Sequence, residues 1–286
     1  MLVSKLSMNF LASLRSRSSP GPEIRILPDS EMRQAARPSL NRLCDISDWR
    51  VGGALSGIMK DLNEGVYIHR KSWEYALCIH GLETLGVVTP ESRALSIGAG
   101  SERPLYYFAN RVREMVATDL YDNPEREGTP AMLTTPEAFR PFEYRRDRLT
   151  VLAMPGTQLE FPDGSFDFAF TLSSIEHFGG KENAAQAVRE LYRVLAPGGV
   201  ACIATELILN GATHPEYFTL EQLGKHLLGA APLELAGGDL DLRISRSLVE
   251  NAINLGIEKD LSVSPHIVMQ AQGVVWTSVM LFLRKA

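Results

Sequence analysis

The stretch 94-ALSIGAGSERPLYYFANRVREMVATDLYDN-123 holds a short apolar run, two glycines at Gly98 and Gly100, a helix-like segment, and a second apolar run that ends on Asp119. Strand, glycine turn, helix, strand is the parallel crossover unit of an α/β sheet. Glycines at such a turn let a ligand approach the main chain, with helix N–H groups pointing toward it. A tight turn with no ligand would need them as well. Asp119 separates the two readings, because a carboxylate at the end of the second strand can accept both hydroxyl protons of a ribose. A dinucleotide turn asks for a third glycine, but positions 103 and 104 are Arg and Pro, a poor seat for a pyrophosphate. One nucleoside without phosphate fits better, which points to S-adenosylmethionine.

Outward from this unit, further strand candidates are 149-LTVLAM-154, 166-FDFAFTL-172 and 200-VACIAT-205, with 182-ENAAQAVRELYRVLA-196 as a helix between the last two. Near-continuous apolar strands with helical crossovers predict a parallel sheet covered on both faces. Pro197-Gly198-Gly199 should end the helix. Around Gly273, 267-IVMQAQGVVWTSVMLFLRK-285 reads as a closing hairpin of two strands. Before the sheet, 72-SWEYALCIHGLETLG-86 predicts a helix capped by Ser72 and stopped at Gly86, with Trp73, Ala76, Leu77, His80 and Leu85 as its packed stripe. The expected organisation is an N-terminal arm or lid, partly irregular, over 1–71 and a domain over 72–286. The polar, Gly-rich segment of about 207–265, with a helix candidate at 219-TLEQLGKHLLG-229, is its substrate-facing insertion.

The 286 residues are 45% hydrophobic and 22% charged, an ordinary globular composition. A net charge of -5 argues against a surface built for nucleic acid or anionic membrane. No apolar run approaches the roughly 18 to 20 residues of a membrane helix. Cys44, Cys78 and Cys202 are widely spaced, which suggests neither a disulfide framework nor a thiolate metal site and fits a reducing cytoplasm. The opening MLVSKLSMNFLASLRSRSSPGP is rich in Arg and Ser and lacks acids, as in a transit peptide, though a frayed tail reads the same way.

The segments 159-LEFPDGSFDFAFTLSSIEHFGG-180 and 190-ELYRVLAPGGVACIATE-206 carry the most specific signal. In order and spacing they resemble class I S-adenosylmethionine-dependent methyltransferases of the type 11 domain group, over roughly residues 72 to 206. The resemblance implies a seven-stranded, Rossmann-like α/β sheet, mostly parallel with a C-terminal antiparallel hairpin, and methyl transfer from S-adenosylmethionine. It places Gly98, Ala99 and Gly100 along the methionine portion and ribose, Asp119 on the ribose hydroxyls and Leu120 against adenine. Pro155 and Gly156 lie at the adenine edge, and Thr171, Leu172 and Ser173 face the sulfonium. Three positions depart from the family pattern: Ser96 where an acid is usual, Glu102 where a third glycine is usual, and Pro155 where an adenine-binding acid is usual. Glu102 then lies near the cofactor amine.

An alcohol acceptor benefits from a base. His177 is the first candidate, since imidazole titrates near neutral pH, with Glu176 beside it and His214 in 211-GATHPEYF-218 closer to the acceptor. The blander reading, which leads for each, is a residue that only shapes its loop, and Glu206 and Tyr217 are further candidates of the same kind. Residues 69-HRKSW-73 reach over the methionine carboxylate if the arm closes, or form a solvated basic turn. No spaced His and carboxylate set calls for a metal. The expected acceptor is a small molecule or a glycan-linked group methylated at oxygen, with no nucleic-acid partner and no membrane insertion; the alternative is a methyltransferase-like scaffold without catalysis. Oligomeric state has no sequence signal.

Overall fold

The computed structural model describes residues 22–49, 53–64, 68–122, 130–258 and 263–286. The Arg- and Ser-rich start, residues 1–21, lies outside them.

Seven strands form the body of one sheet: β1 (Arg93–Ile97), β2 (Glu114–Asp119), β3 (Leu149–Ala153), β4 (Phe166–Leu172), β5 (Leu195–Ile208), β6 (Met269–Ala271) and β7 (Val274–Lys285). They lie in the order β6-β7-β5-β4-β1-β2-β3. Strands β3, β2, β1, β4 and β5 run parallel, while β7 is antiparallel to both β5 and β6. The expected α/β sheet with its C-terminal hairpin is therefore present. Three short pieces extend the expected seven strands: Arg42–Leu43 and Leu233–Leu235 pair with β7, and Ile253–Asn254 with β6. Their sequences are too short to show a period.

The apolar runs fold this way because both faces of the sheet are covered. Phe168, Phe170, Ala201, Ile203, Leu281 and Phe282 are fully buried, with Leu95, Val116 and Leu172 in the same core. Helix α1 (Arg70–Thr84) buries residues on nearly every side, packing on the sheet and against a short helix at Ala54–Asp61. It begins at Arg70 rather than after Ser72: the His69 side chain accepts the Lys71 N–H, and the Ser72 hydroxyl is drawn off to Glu64. Gly81 lets α1 lie against β7, since a Cβ there would sit 2.1 Å from the Phe282 ring. Gly81→Ala is expected to destabilise the fold by about 1–3 kcal/mol through overpacking, read as a lower denaturation midpoint at unchanged m-value.

Helix α2 (Arg103–Ala109) links β1 to β2, and helix α3 (Lys181–Val194) links β4 to β5. The α3 helix stops two residues earlier than expected, because Pro197 disfavours helical geometry at the residue before it. In the segment after β5, Thr219 forms a capping box with Gln222, and the expected helix runs as a short α-turn at Leu220–Leu223 followed by a wider π-turn at Gly224–Leu228. Among the described residues no helix is long and apolar enough to cross a membrane, and Cys44, Cys78 and Cys202 are free and buried.

Strand order sets the place of the site. From β1 the sheet grows toward β2 and β3 on one side and toward β4 and β5 on the other, so the crossovers part at the carboxyl ends of β1 and β4 and leave a crevice there.

Candidate cofactor and active site

A cleft of about 400 Å³ opens at this crevice, within the range of small-ligand sites. Gly98, Asp119, Leu120, Pro155, Gly156 and His177 line it, together with Tyr121, Asp122, Met154, Thr157, Ser174, Phe178 and Gly179. The glycine turn is shaped by local geometry. Gly98 and Gly100 have φ of 61° and 49°, in the left-handed region that side chains disfavour. A Cβ on Gly98 would also lie 2.6 Å from the Ser174 Cβ, so the loop after β4 seats directly on the turn. The Ser174 hydroxyl donates to the Gly98 carbonyl at 2.8 Å and fixes this approach.

Asp119 ends β2 facing the turn. One carboxylate oxygen accepts the Gly100 N–H at 2.9 Å and the other accepts the Leu120 N–H at 2.7 Å. Each oxygen keeps lone-pair capacity for a further donor. The Tyr121 hydroxyl closes the frame by donating to the Gly100 carbonyl at 3.1 Å. Leu120 is 54% exposed although apolar, and Met154, Pro155 and Phe178 add apolar wall beside it. A carboxylate anchored to a glycine turn, next to an uncovered apolar surface, matches an adenosine: a diol to hold and a flat ring to cover. The residues present fit that part of S-adenosylmethionine.

The other sequence candidates are gathered elsewhere. Ala99, Thr171 and Leu172 are fully buried, and Gly100, Glu102 and Ser173 are partly exposed but outside the cleft lining. Beyond that lining a dense ionic cluster fills the carboxyl ends of β4 and β5 and the amino-terminal part of β7. Glu74, fully buried on α1, accepts from Arg70 at 2.9 Å, Ser173 at 2.9 Å and Ser278 at 2.5 Å. Arg70 also pairs with Glu206 at 2.9 Å, and Lys71 pairs with Glu102 at 3.0 Å and Glu74 at 3.2 Å. The segment 69-HRKSW-73 is thus no solvated turn. Its basic side chains point into the protein because three carboxylates there need counter-charge.

Burial raises the Glu74 carboxyl, but Lys71 and Arg70 and the Ser278 and Ser173 hydroxyls outweigh it and bring the pKa down to about 2. Burial raises Glu102 to about 7 in spite of Lys71, with Glu74 and Asp119 adding like charge. Glu206 is likewise raised by burial against the pull of Arg70.

The three candidate bases separate clearly. His177 lines the cleft, with Nδ1 3.1 Å from a Glu216 carboxylate oxygen. Glu176 is buried and accepts from Thr205 at 3.0 Å, outside the cleft lining. The His214 Nδ1 accepts the N–H groups of Glu216 and Tyr217 at 3.2 Å each, and its ring stacks on Tyr217, so it shapes its own loop. Glu216 was legible only as part of a polar loop. Its approach to His177 depends on Lys181, whose ammonium holds the carbonyls of Pro215, Glu216 and Tyr217. Among the described residues no group of three or more His, Cys, Asp or Glu could hold a metal ion.

Comparison with known proteins gives one family. Residues 95–203 match the family model described as a methyltransferase domain. No curated protein matches the chain. Among solved structures, the YcgJ protein of Bacillus subtilis is 15% identical with a TM-score of 0.49, covering 74% of this chain and 97% of that one. A SAM-dependent methyltransferase of Aquifex aeolicus is 14% identical with a TM-score of 0.44, covering 79% and 97%. A TehB-like SAM-dependent methyltransferase of Corynebacterium glutamicum is 14% identical with a TM-score of 0.45, covering 81% and 94%. The matched span runs from β1 into β5, through the strands that frame the cleft, and over those residues the chain is similar to methyltransferase domains.

Proposed function

We propose that the protein methylates an oxygen of a small-molecule or glycan-linked acceptor, with His177 taking the acceptor's proton. The observation that carries this reading is the His177–Glu216 contact at 3.1 Å on the wall of the cleft. A carboxylate on Nδ1 favours the tautomer with the proton there and leaves Nε2 as the acceptor, and it stabilises the imidazolium that forms after proton transfer. When bound, S-adenosylmethionine supplies a methyl group on a sulfonium, a leaving group already activated. The protein's own work is then to orient the acceptor, receive its proton at His177 Nε2 and exclude water. Phe178, Met154 and Pro155 provide the apolar wall for the last of these. The segment after β5, which carries Glu216, is the part of the chain that would select the acceptor. A net charge of -5 supports a neutral or small acceptor over a polyanion.

The test is methyl transfer from isotopically labelled S-adenosylmethionine to a panel of phenols, sugars and hydroxylated small molecules, with the labelled atom located by mass spectrometry. His177→Asn is expected to lower kcat about 10²-fold with little change in KM for the cofactor, and Glu216→Gln about tenfold. Unchanged kcat in His177→Asn rejects the base, and label recovered on nitrogen or carbon rejects oxygen.

A further inference from the structure

Lys71 lies where the chain's own charge arrangement calls for an ammonium. Its Nζ donates to the Leu172 carbonyl at 2.6 Å and to Glu102 at 3.0 Å, and it stands 3.2 Å from Glu74. These acceptors come from three elements: the end of β4, the residue before α2, and α1. Glu102 precedes α2 without capping it through its side chain, so its carboxylate is free to turn to this position. One oxygen of Glu102 is buried with no hydrogen-bond partner, which leaves acceptor capacity in the cradle beyond what Lys71 uses.

The cradle adjoins the adenosine-shaped cleft. Leu172 leads into Ser173 and Ser174, and Ser174 is bonded to Gly98 on the cleft wall. A ligand whose nucleoside is held at Asp119 and whose tail runs past Gly98 toward the end of β4 therefore brings its tail to this cradle. S-adenosylmethionine ends its tail in an α-amino acid, whose carboxylate stands beside an α-ammonium, a primary ammonium like that of the Lys71 side chain.

We propose that Lys71 holds the seat of the cofactor's α-ammonium, so that full cofactor binding requires Lys71 to leave the cradle formed by Leu172, Glu102 and Glu74. The proposal rests on the placement of the nucleoside at Asp119. The side chain has somewhere to go: it is 33% exposed, and it borders a second opening of about 570 Å³ shared with Ser101, Tyr75 and Arg103. The lysine therefore acts as a competitor built into the site. It keeps buried carboxylates neutralised in the free protein and sets a threshold for ligands that carry an amino-acid tail.

Two ligands separate the parts of this idea. S-adenosylhomocysteine has the α-ammonium, and 5′-methylthioadenosine has the nucleoside and sulfur without it. Calorimetric titration of the wild type and Lys71→Met is expected to show 5′-methylthioadenosine binding equally to both, and S-adenosylhomocysteine binding the variant about tenfold more tightly. Equal or weaker S-adenosylhomocysteine binding by Lys71→Met, with 5′-methylthioadenosine unaffected, overturns the competition and leaves the nucleoside placement standing. Failure of both proteins to bind 5′-methylthioadenosine overturns the placement and the proposal with it. A measurement on the wild type needs no substitution: acetic anhydride labelling of Lys71, quantified by mass spectrometry, is expected to rise with saturating S-adenosylhomocysteine and to stay level with 5′-methylthioadenosine. Protection of Lys71 by S-adenosylhomocysteine overturns the proposal.

Discussion

Asp119→Ala is expected to weaken binding of S-adenosylhomocysteine by about 10³-fold, with the melting temperature little changed. The carboxylate has two tasks. It fixes the turn through the Gly100 and Leu120 N–H groups, at 2.9 and 2.7 Å, and it offers its remaining lone pairs to the cleft. Losing two hydrogen bonds to a charged acceptor, each worth about 1.5–3 kcal/mol, gives a loss of that order. The turn should survive, because the Tyr121 bond to the Gly100 carbonyl and the Ala99 N–H bond to Thr118 are untouched. Asp119→Asn keeps one acceptor oxygen and should fall between the two. Calorimetric affinity of Asp119→Ala equal to wild type would show that the ribose is held elsewhere.

The second large effect is on stability. Glu74→Ala removes the carboxylate that Arg70, Lys71, Ser173 and Ser278 converge on, and leaves Arg70 and Lys71 with incomplete pairing. Breaking a buried pair from one side typically costs about 3–5 kcal/mol, which for a chain of this size lowers Tm by about 10 °C. The pH dependence gives an independent check. The Glu74 pKa is depressed from 4.5 to about 2 in the folded protein, so its contribution is complete above about pH 4.5 and is lost as pH falls toward 2. Glu102 has the opposite sign, since its pKa rises from 4.5 to about 7, and its contribution is complete below about pH 4.5 and lost as pH climbs through 7. Acid titration of Glu74→Ala should therefore show a shallower loss of stability below pH 4.5 than the wild type. Parallel curves would mean that Glu74 carries no linked proton.

What the sequence showed and what it hid divide along physical lines. The strands were legible because a two-sided sheet demands apolar runs, and Phe166–Leu172 or Val274–Lys285 offer few other ways to be buried. Gly98 and Asp119 were legible because a turn and a strand end carry local chemical requirements. The ionic cluster was not. Arg70 and Glu74 lie one turn apart on α1, but Glu102, Glu206 and Ser278 reach them only through tertiary folding, and although Glu102, Glu206 and 69–73 each suggested a role, no local pattern joins them into one cluster. Glu74 in particular falls outside the apolar stripe of Trp73, Ala76 and Leu77, yet it is buried, because α1 is covered on the side that periodicity assigns to solvent. Ser174 and Phe178 were hidden in the same way: they follow β4 directly, but their approach to Gly98 depends on how the loop turns back. Glu216 lies about 40 residues from His177, at a distance only the fold can close.

Strand β7 brings an early and a late segment of the sequence together in a way that bears on synthesis. It pairs with β5 along its length, receives Arg42–Leu43 on its other edge, and places Ser278 on Glu74. A nascent chain can assemble the parallel strands as they emerge, but the early segment finds its partner, and the buried carboxylate its hydroxyl, only once residues 274–285 have cleared the ribosome. Until then a protein with the nucleoside half of its cleft in place would still lack the strand that completes the ionic cluster beside it, so the competent site forms after the parallel strands and not with them.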